Sequence, residues 1–194
     1  MELDFLKIKQ SGGSPEKGSL LISEPFAGDG FFRRSVVLLT EHNSEGSMGF
    51  ILNKKVRLNL SELLDDFPNF DAEVSLGGPV NTDTVHYIHT LGNKIPHSLK
   101  VIDNLYWGGD FEFVKKLIQS GSITTQEIRF FLGYSGWEAN QLAGEMKDNF
   151  WLVSSTNTKI IMNHPIEKIW DLCVRQLGKK YKIWVNFPEN PSWN

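Results

Sequence analysis

The amino-acid sequence predicts one α+β domain: a mixed, largely antiparallel β-sheet, open or closed barrel-like, packed with several α-helices. Three observations predict it. Short apolar, β-branched runs outnumber the helical patterns, and hairpin-like connections alternate with helical ones. The stretch Phe31 to Asn53, FFRRSVVLLTEHNSEGSMGFILN, sets two apolar runs, Ser35–Thr40 and Met48–Leu52, around a polar, glycine-containing connection, which reads as a β-hairpin. No linker-like or low-complexity stretch interrupts the middle of the chain, so residues 18–178 are expected to form the domain, with extensions at 1–17 and 179–194.

Residues 1–10 read as a short helix or arm, followed by the flexible composition SGGSP. GSLLIS, Gly18–Ser23, is the first core strand, ended by Glu24 and Pro25, and the glycines within Phe26–Phe32 mark a loop before the hairpin. Leu58–Phe67 is a short helix, capped by Asn59 or Ser61 and stopped at Pro68. Glu73–Leu76 is a brief strand running into a sharp turn at Gly77–Pro79. The alternation in Thr84–Thr90 marks a half-buried strand, and Leu99–Ile102 and Leu105–Trp107 flank a turn at Asp103 and Asn104. Asp110 suits the N-cap of a helix over Phe111–Gln119 that stops at Gly121. Thr124 and Glu127 form a capping-box pattern opening one turn, and Ile128–Tyr134 is a buried strand. Ser135 and Glu138 repeat that spacing and predict a helix running to Lys147. Phe150–Ser154 and Thr158–Met162 are the last strands. Pro165 opens a helix to Leu177 with Ile166, Ile169, Trp170, Cys173 and Leu177 on its buried stripe, and Gly178 ends it. The tail YKIWVNFPENPSWN reads as an extended arm with a disordered tip.

The chain is 40% hydrophobic and 22% charged, enough for one sizeable core. A net charge of -3 lacks the basic surplus of a phosphate-backbone binder, and no helix-turn-helix or basic recognition helix stands out. Direct DNA binding is therefore not expected. One cysteine, Cys173, excludes an intrachain disulfide and fits a reducing compartment. The start, MELDFLKIKQSGG, lacks a signal-peptide core, and no apolar run approaches the ~18 residues of a membrane span. The expectation is a cytoplasmic protein with no membrane segment.

Several residue sets could carry chemistry. Gly133, Tyr134, Ser135, Gly136 and Trp137 are predicted at a strand-to-helix turn, the setting of a nucleophile elbow, but Trp137 stands where that motif has glycine. The plainer reading makes Ser135 a helix cap whose free N–H groups face an anion. Arg33 and Arg34 precede a core strand, where a guanidinium suits carboxylate or phosphate recognition, although strand-flanking arginines are commonly surface residues. His42 beside Glu41 forms a possible acid–base pair at a hairpin end, against the plainer reading of a loop histidine bonded to backbone. The five histidines lack metal-ligand spacing, and His86 and His89 fall on opposite faces of a regular strand, so no metal is expected. The glycine pairs Gly46/Gly49, Gly77/Gly78 and Gly108/Gly109 match no P-loop or dinucleotide fingerprint; tight turns are their default explanation, and no cofactor is expected. Cys173 lies on an apolar stripe and reads as inert packing.

Taken together, GSLLISEPFAGDGFFRRSVVLLTEHNSEGSMGFILNK, SLGGPV, FLGYSGWEANQL and HPIEKIWDLCVRQLG resemble the YqgE/AlgH family of bacterial proteins over residues 18–178. The resemblance implies a compact α+β cytoplasmic protein whose molecular function is not defined, with a regulatory role in transcription suggested for part of the family. The family pattern falls on Arg34, Glu41, His42, Asn53, Gly77, Gly78 and Trp137, among others. The chain departs from it at Gly30, where proline is usual, at Asn140, where glycine is common, and at Ala143, where glutamate is common. An enzyme centred on that glutamate would be inactive here.

Two functional readings result. In the first, the protein is a binding or regulatory module that takes a small anionic ligand or a protein partner. Arg34, His42, Asn53, Ser135 and Trp137 then gather around one concavity and supply donors to the anion. In the second, it is a hydrolase or transferase using His42 or Ser135. No residue set identifies a catalytic centre, and oligomeric state is not legible.

Overall fold

The computed structural model describes residues 13–26 and 30–188. Its strands are Leu20–Ser23 (β1), Val36–Asn43 (β2), Gly46–Ile51 (β3), Lys55–Val56 (β4), Val74–Leu76 (β5), Val80–His89 (β6), Leu99–Ile102 (β7), Leu105–Trp107 (β8), Ile128–Glu138 (β9) and Trp151–Ser154 (β10). The α-helices are Leu60–Leu63 (α1), Phe111–Gln119 (α2), Gln141–Lys147 (α3), Thr158–Met162 (α4) and Ile169–Gln176 (α5). The strands form one open sheet in the order β10-β1-β2-β3-β9-β6-β8-β7, with β4 attached through β5. The α+β, mostly antiparallel expectation holds; the sheet is not closed into a barrel.

The expected hairpin is present. Val37 faces Ile51 and Leu38 faces Phe50 across antiparallel β2 and β3. The turn-forming Asn43 and Gly46 sit at its tip, where the Asn43 side chain accepts the Glu45 N–H at 2.8 Å.

The hub of the sheet, however, is β9. One half of it, Ser135–Glu138, pairs antiparallel with β3, and Phe130–Leu132 pairs parallel with β5 on that same edge. Its other edge carries β6. The sheet is covered on both faces. Phe50, Phe131, Ile88, Trp170 and Val174 belong to one cluster, Phe130, Tyr87 and Val114 to a second, and Val37, Ile51, Trp137 and Trp151 to a third. Burial on both faces explains why β1, β2 and β9 read as continuous apolar runs.

Four sequence expectations are corrected. The helix predicted to start at Ser135 does not begin there: β9 runs on to Glu138, and α3 starts at Gln141 after Asn140, held in the left-handed region at φ 65°. Pairing with β3 satisfies the backbone of Ser135–Glu138, so the capping-box spacing has no orphan donors to satisfy. Thr158–Met162 is a helix, because the Asn157 side chain accepts the Ile160 N–H at 3.1 Å and caps it. The helix expected over Leu58–Phe67 shrinks to α1 and ends at Leu64, which is extended. The tail is no extended arm over Lys179–Asn186: these residues form a 3-10 helix with Tyr181 and Trp184 buried in the main core. The readings for residues 1–10 and for the tip beyond 188 lie outside the described residues.

Asp110 caps α2 as expected, its carboxylate accepting the Phe113 N–H at 3.0 Å. The helix from Pro165 is present as a 3-10 turn over Ile166–Lys168 followed by α5. Cys173 is buried in α5, and burial pushes its thiol pKa up to about 12, which leaves it unreactive.

Candidate functional site

Asn53, just past β3, braces the start of β2. Its Oδ1 accepts the Val36 N–H at 2.8 Å and its Nδ2 donates to the Arg34 carbonyl at 2.7 Å. Lys54 Nζ donates to the Arg33 carbonyl at 2.9 Å. These bonds hold the Arg33–Arg34 corner against the end of β3. Arg34 itself sits at φ 51°, a left-handed conformation that a bulky side chain adopts only when its surroundings enforce it. Its guanidinium lies 4.8 Å from the centre of the Trp170 ring and donates to the Phe187 carbonyl. Trp170 is fixed in turn by its indole N–H, which donates to the Ser23 carbonyl at 3.1 Å.

A concavity of about 330 Å³ opens here, lined by Gly30, Arg33, Arg34, Asn53, Lys54, Glu167, Trp170 and Asp171. Three cationic side chains face two carboxylates across it. Among the described residues, the buried Nε atoms of Arg33 and Arg34 have no hydrogen-bond partner. A buried unmatched donor costs about 1–3 kcal/mol, a cost the Arg33–Arg34 corner carries. The carboxylates of Glu167 and Asp171 repel a bare anion, so the concavity suits an anion that also carries a hydrogen-bond donor.

The other sequence candidates do not reach this concavity. His42 is exposed near the far end of β2, with Nδ1 2.7 Å from Ser47 Oγ. The strand between them puts it about 25 Å from Arg34 at the usual rise per residue. Trp137 faces Ser47 on β3, is 6% exposed, and donates its indole N–H to Glu145 Oε2 at 2.8 Å. Ser135 lies mid-strand opposite Gly49, wholly buried, and its hydroxyl donates to the Gly77 carbonyl at 3.1 Å. The single concavity expected around all five residues does not form: Arg34 and Asn53 share one end of the hairpin, His42 and Trp137 lie toward the other, and Ser135 lies between.

Ser135 is neither a cap nor an accessible nucleophile. Ser135→Ala should cost about 1 kcal/mol in chemical denaturation, since the Gly77 carbonyl keeps its bond from the Ile51 N–H. A fluorophosphonate probe should leave the native serine unlabelled; an adduct there would restore a catalytic role.

The structure also shows polar residues that the sequence reading passed over. Arg129 is buried in β9 and donates to the carbonyls of Ile161 and Leu52, each at 2.6 Å. Glu145 receives both indole N–H groups, from Trp137 at 2.8 Å and Trp151 at 2.7 Å, and the Gln141 amide at 3.0 Å. The lone charge within IRFFLGY and the i,i+4 spacing of Gln141 and Glu145 were the available signals. Glu167 and Asp171 reach the concavity only because the C-terminal helix folds back beside β1.

The AlgH-like family profile matches residues 20–182. The chain belongs to the AlgH-like family. A UPF0301 protein of Bacteroides fragilis is 45% identical over 192 residues, covering 98% of this chain and 97% of that relative. One from Bacteroides thetaiotaomicron is 42% identical over 195 residues, covering 100% and 99%. The solution structure of AlgH from Pseudomonas aeruginosa superposes with a TM-score of 0.73 at 30% identity, covering 93% of this chain and 98% of that one. The crystal structure of DIP2367 from Corynebacterium diphtheriae gives 0.76 at 20% identity, covering 96% and 100%, which speaks for the fold alone. The AlgH-like match runs past Gly178 and takes in the buried Tyr181, in keeping with the docked C-terminal segment.

Proposed function

We propose that this AlgH-like protein is a non-enzymatic binding module that captures a small anion, a carboxylate or a phosphate, between Arg33 and Arg34. The observation that carries the reading is the grouping of the Arg33, Arg34 and Lys54 cations around one concavity. A regulatory role would follow from the same site, since ligand occupancy ties the Arg33–Arg34 corner to the C-terminal segment that Arg34 already holds through Phe187. The enzyme reading has less to stand on: His42 is bonded to Ser47 at the hairpin tip, and Ser135 is buried and engaged elsewhere. The cytoplasm is part of the proposal, supported by a single, buried cysteine. No helix among the described residues is long and apolar enough to cross a membrane.

Thermal denaturation tests the site. Phosphate or citrate at a hundredfold excess over its Kd should raise the melting temperature by about 5–10 °C, from the ~2.7 kcal/mol that such occupancy contributes. Arg33→Ala should abolish that rise while leaving the ligand-free melting temperature within about 2 °C of wild type, as for most surface-side changes. Arg34→Ala should abolish it too and also lower the ligand-free value, because Arg34 holds Trp170 and Phe187. A wild-type protein indifferent to every anion, or an Arg33→Ala protein that responds like wild type, would sink the proposal.

A further inference from the structure

The charges that line the Arg33–Arg34 concavity come from two walls of opposite sign. Arg33, Arg34 and Lys54 stand on the hairpin side, and Glu167 and Asp171 on the side of the C-terminal helix. Ile166, Ile169, Trp170 and Cys173 bury the apolar stripe of that helix in the core, which fixes its rotation. Glu167, in the 3-10 turn, and Asp171, in the first turn of α5, therefore line the opening, Glu167 exposed and Asp171 half-buried.

The two walls do not close on each other. Among the described residues, neither Glu167 nor Asp171 forms an ion pair or a side-chain hydrogen bond. The cations are tied elsewhere: Arg34 donates to the Phe187 carbonyl and lies over Trp170, and Lys54 Nζ donates to the Arg33 carbonyl at 2.9 Å. Lys55, the next cation along the chain, is engaged by Glu73 at 2.8 Å. The left-handed backbone of Arg34, φ 51°, is braced by Asn53 through the Arg34 carbonyl, so this corner does not swing toward the helix. Opposite charges thus face one opening, each held short of its counterpart. The start of a helix tolerates Asp171 without a cation. Glu167 and Asp171 are four residues apart and repel each other, and a cation placed between them would relieve that repulsion.

A bare anion gains from the arginines and loses to the carboxylates, and a bare amine meets the reverse. We propose that the concavity selects a small zwitterion, an acid group with a primary ammonium a few bonds away. The carboxylate or phosphate lies on Arg33 and Arg34, and the ammonium lies between Glu167 and Asp171. This preference presupposes the anion capture proposed above and adds its selectivity: the two carboxylates turn away simple acids by repulsion and attract the amine. A space of about 330 Å³ is at the small end of the roughly 300–1,000 Å³ of small-molecule sites, which suits a free amino acid or an amino-alcohol phosphate.

Isothermal titration calorimetry of the full-length protein tests it with pairs that differ only in the amine: glycine against acetate, β-alanine against propionate, and phosphoethanolamine against ethyl phosphate. The third pair against the first two tells a phosphate ligand from a carboxylate one. In at least one pair the zwitterion should bind about tenfold more tightly than its amine-free partner. Arg33→Ala should lose both members of that pair. The double variant Glu167→Gln, Asp171→Asn should bind the two members within about twofold of each other, and should bind the simple acid more tightly than wild type does. A merely structural role for the carboxylates would not raise affinity for the acid. Wild-type protein that binds both members of every pair equally would overturn the zwitterion and leave anion capture standing. A double variant that keeps the wild-type preference would also overturn it. If no zwitterion, simple acid, phosphate or citrate binds, anion capture itself falls and the zwitterion with it.

Discussion

Gly78→Ala is expected to leave almost no folded protein. A Cβ at Gly78 would sit 2.0 Å from the Tyr134 carbonyl carbon, 2.1 Å from its oxygen and 2.2 Å from the Ser135 nitrogen. These are backbone atoms of β9, to which three other strands are bonded, so no side chain can rotate away to relieve the clash. Gly77 is in the same position, its Cβ falling 2.3 Å from the Gly133 carbonyl oxygen. The loss should be roughly 4 kcal/mol or more, at the far end of what a single substitution does. Urea denaturation and soluble yield measure it, and Gly144→Ala supplies the contrast. Gly144 lies inside α3 with nothing within 4 Å of the added carbon, so alanine there should stabilise by up to about 1 kcal/mol. A Gly78→Ala protein that melts like wild type would mean that β9 and the Gly77–Pro79 turn are not packed as described.

Arg129→Ala should be the next most damaging change, costing about 3–5 kcal/mol. The guanidinium joins the end of the hairpin at Leu52, the β5 hydroxyl of Ser75 at 3.4 Å, and α4 at Ile161. Alanine leaves those acceptors buried and opens a cavity beside Phe131, whose ring centre is 5.7 Å from the guanidinium carbon. Burial lowers the Arg129 pKa to about 10, against a smaller opposing pull from Glu73, so the group is charged at neutral pH. Its folded value lies below the unfolded one. Burying the charge therefore counts against folding below pH 10, and that penalty lessens as pH rises through the folded value. What holds the fold is thus the set of hydrogen bonds, and a lysine, which cannot span two carbonyls with a planar fork, should recover little. Arg129→Met, which keeps the volume and removes both the charge and its desolvation, should recover more than lysine does. Equal melting temperatures for the alanine variant and wild type would show that the three segments do not depend on this side chain.

The sequence carried much of the fold and only part of the site. The β2–β3 hairpin, the Asp110 cap and the buried stripe of α5 were legible because each rests on neighbours in sequence: a turn composition, a side chain three residues from its acceptor, an apolar period. The reading failed where distant strands set the outcome. Ser135 and Glu138 have the spacing of a helix start, yet residues 46–49 claim their backbone first. The Asn157 cap outweighs the strand preference of the β-branched Ile160 and Ile161. Arg34 and Asn53 could be placed together because the hairpin joins them. His42 stands on the same hairpin, but the length of β2 keeps it apart. Glu167 and Asp171 were out of reach, since only tertiary folding brings α5 to that corner.

The pairing of β1 has a consequence for how the chain is made. Leu20–Ser23 lies between β2, which leaves the ribosome soon after it, and β10, whose residues Trp151–Ser154 come far later. Until then the first strand has a naked edge of apolar residues, a template on which a second nascent chain can add. The β2–β3 hairpin waits in the same way for Ser135–Glu138. Synthesis therefore yields no finished N-terminal half: the order of the sheet ties the earliest strand to one of the latest, and the molecule becomes safe from its neighbours only when nearly the whole chain is present.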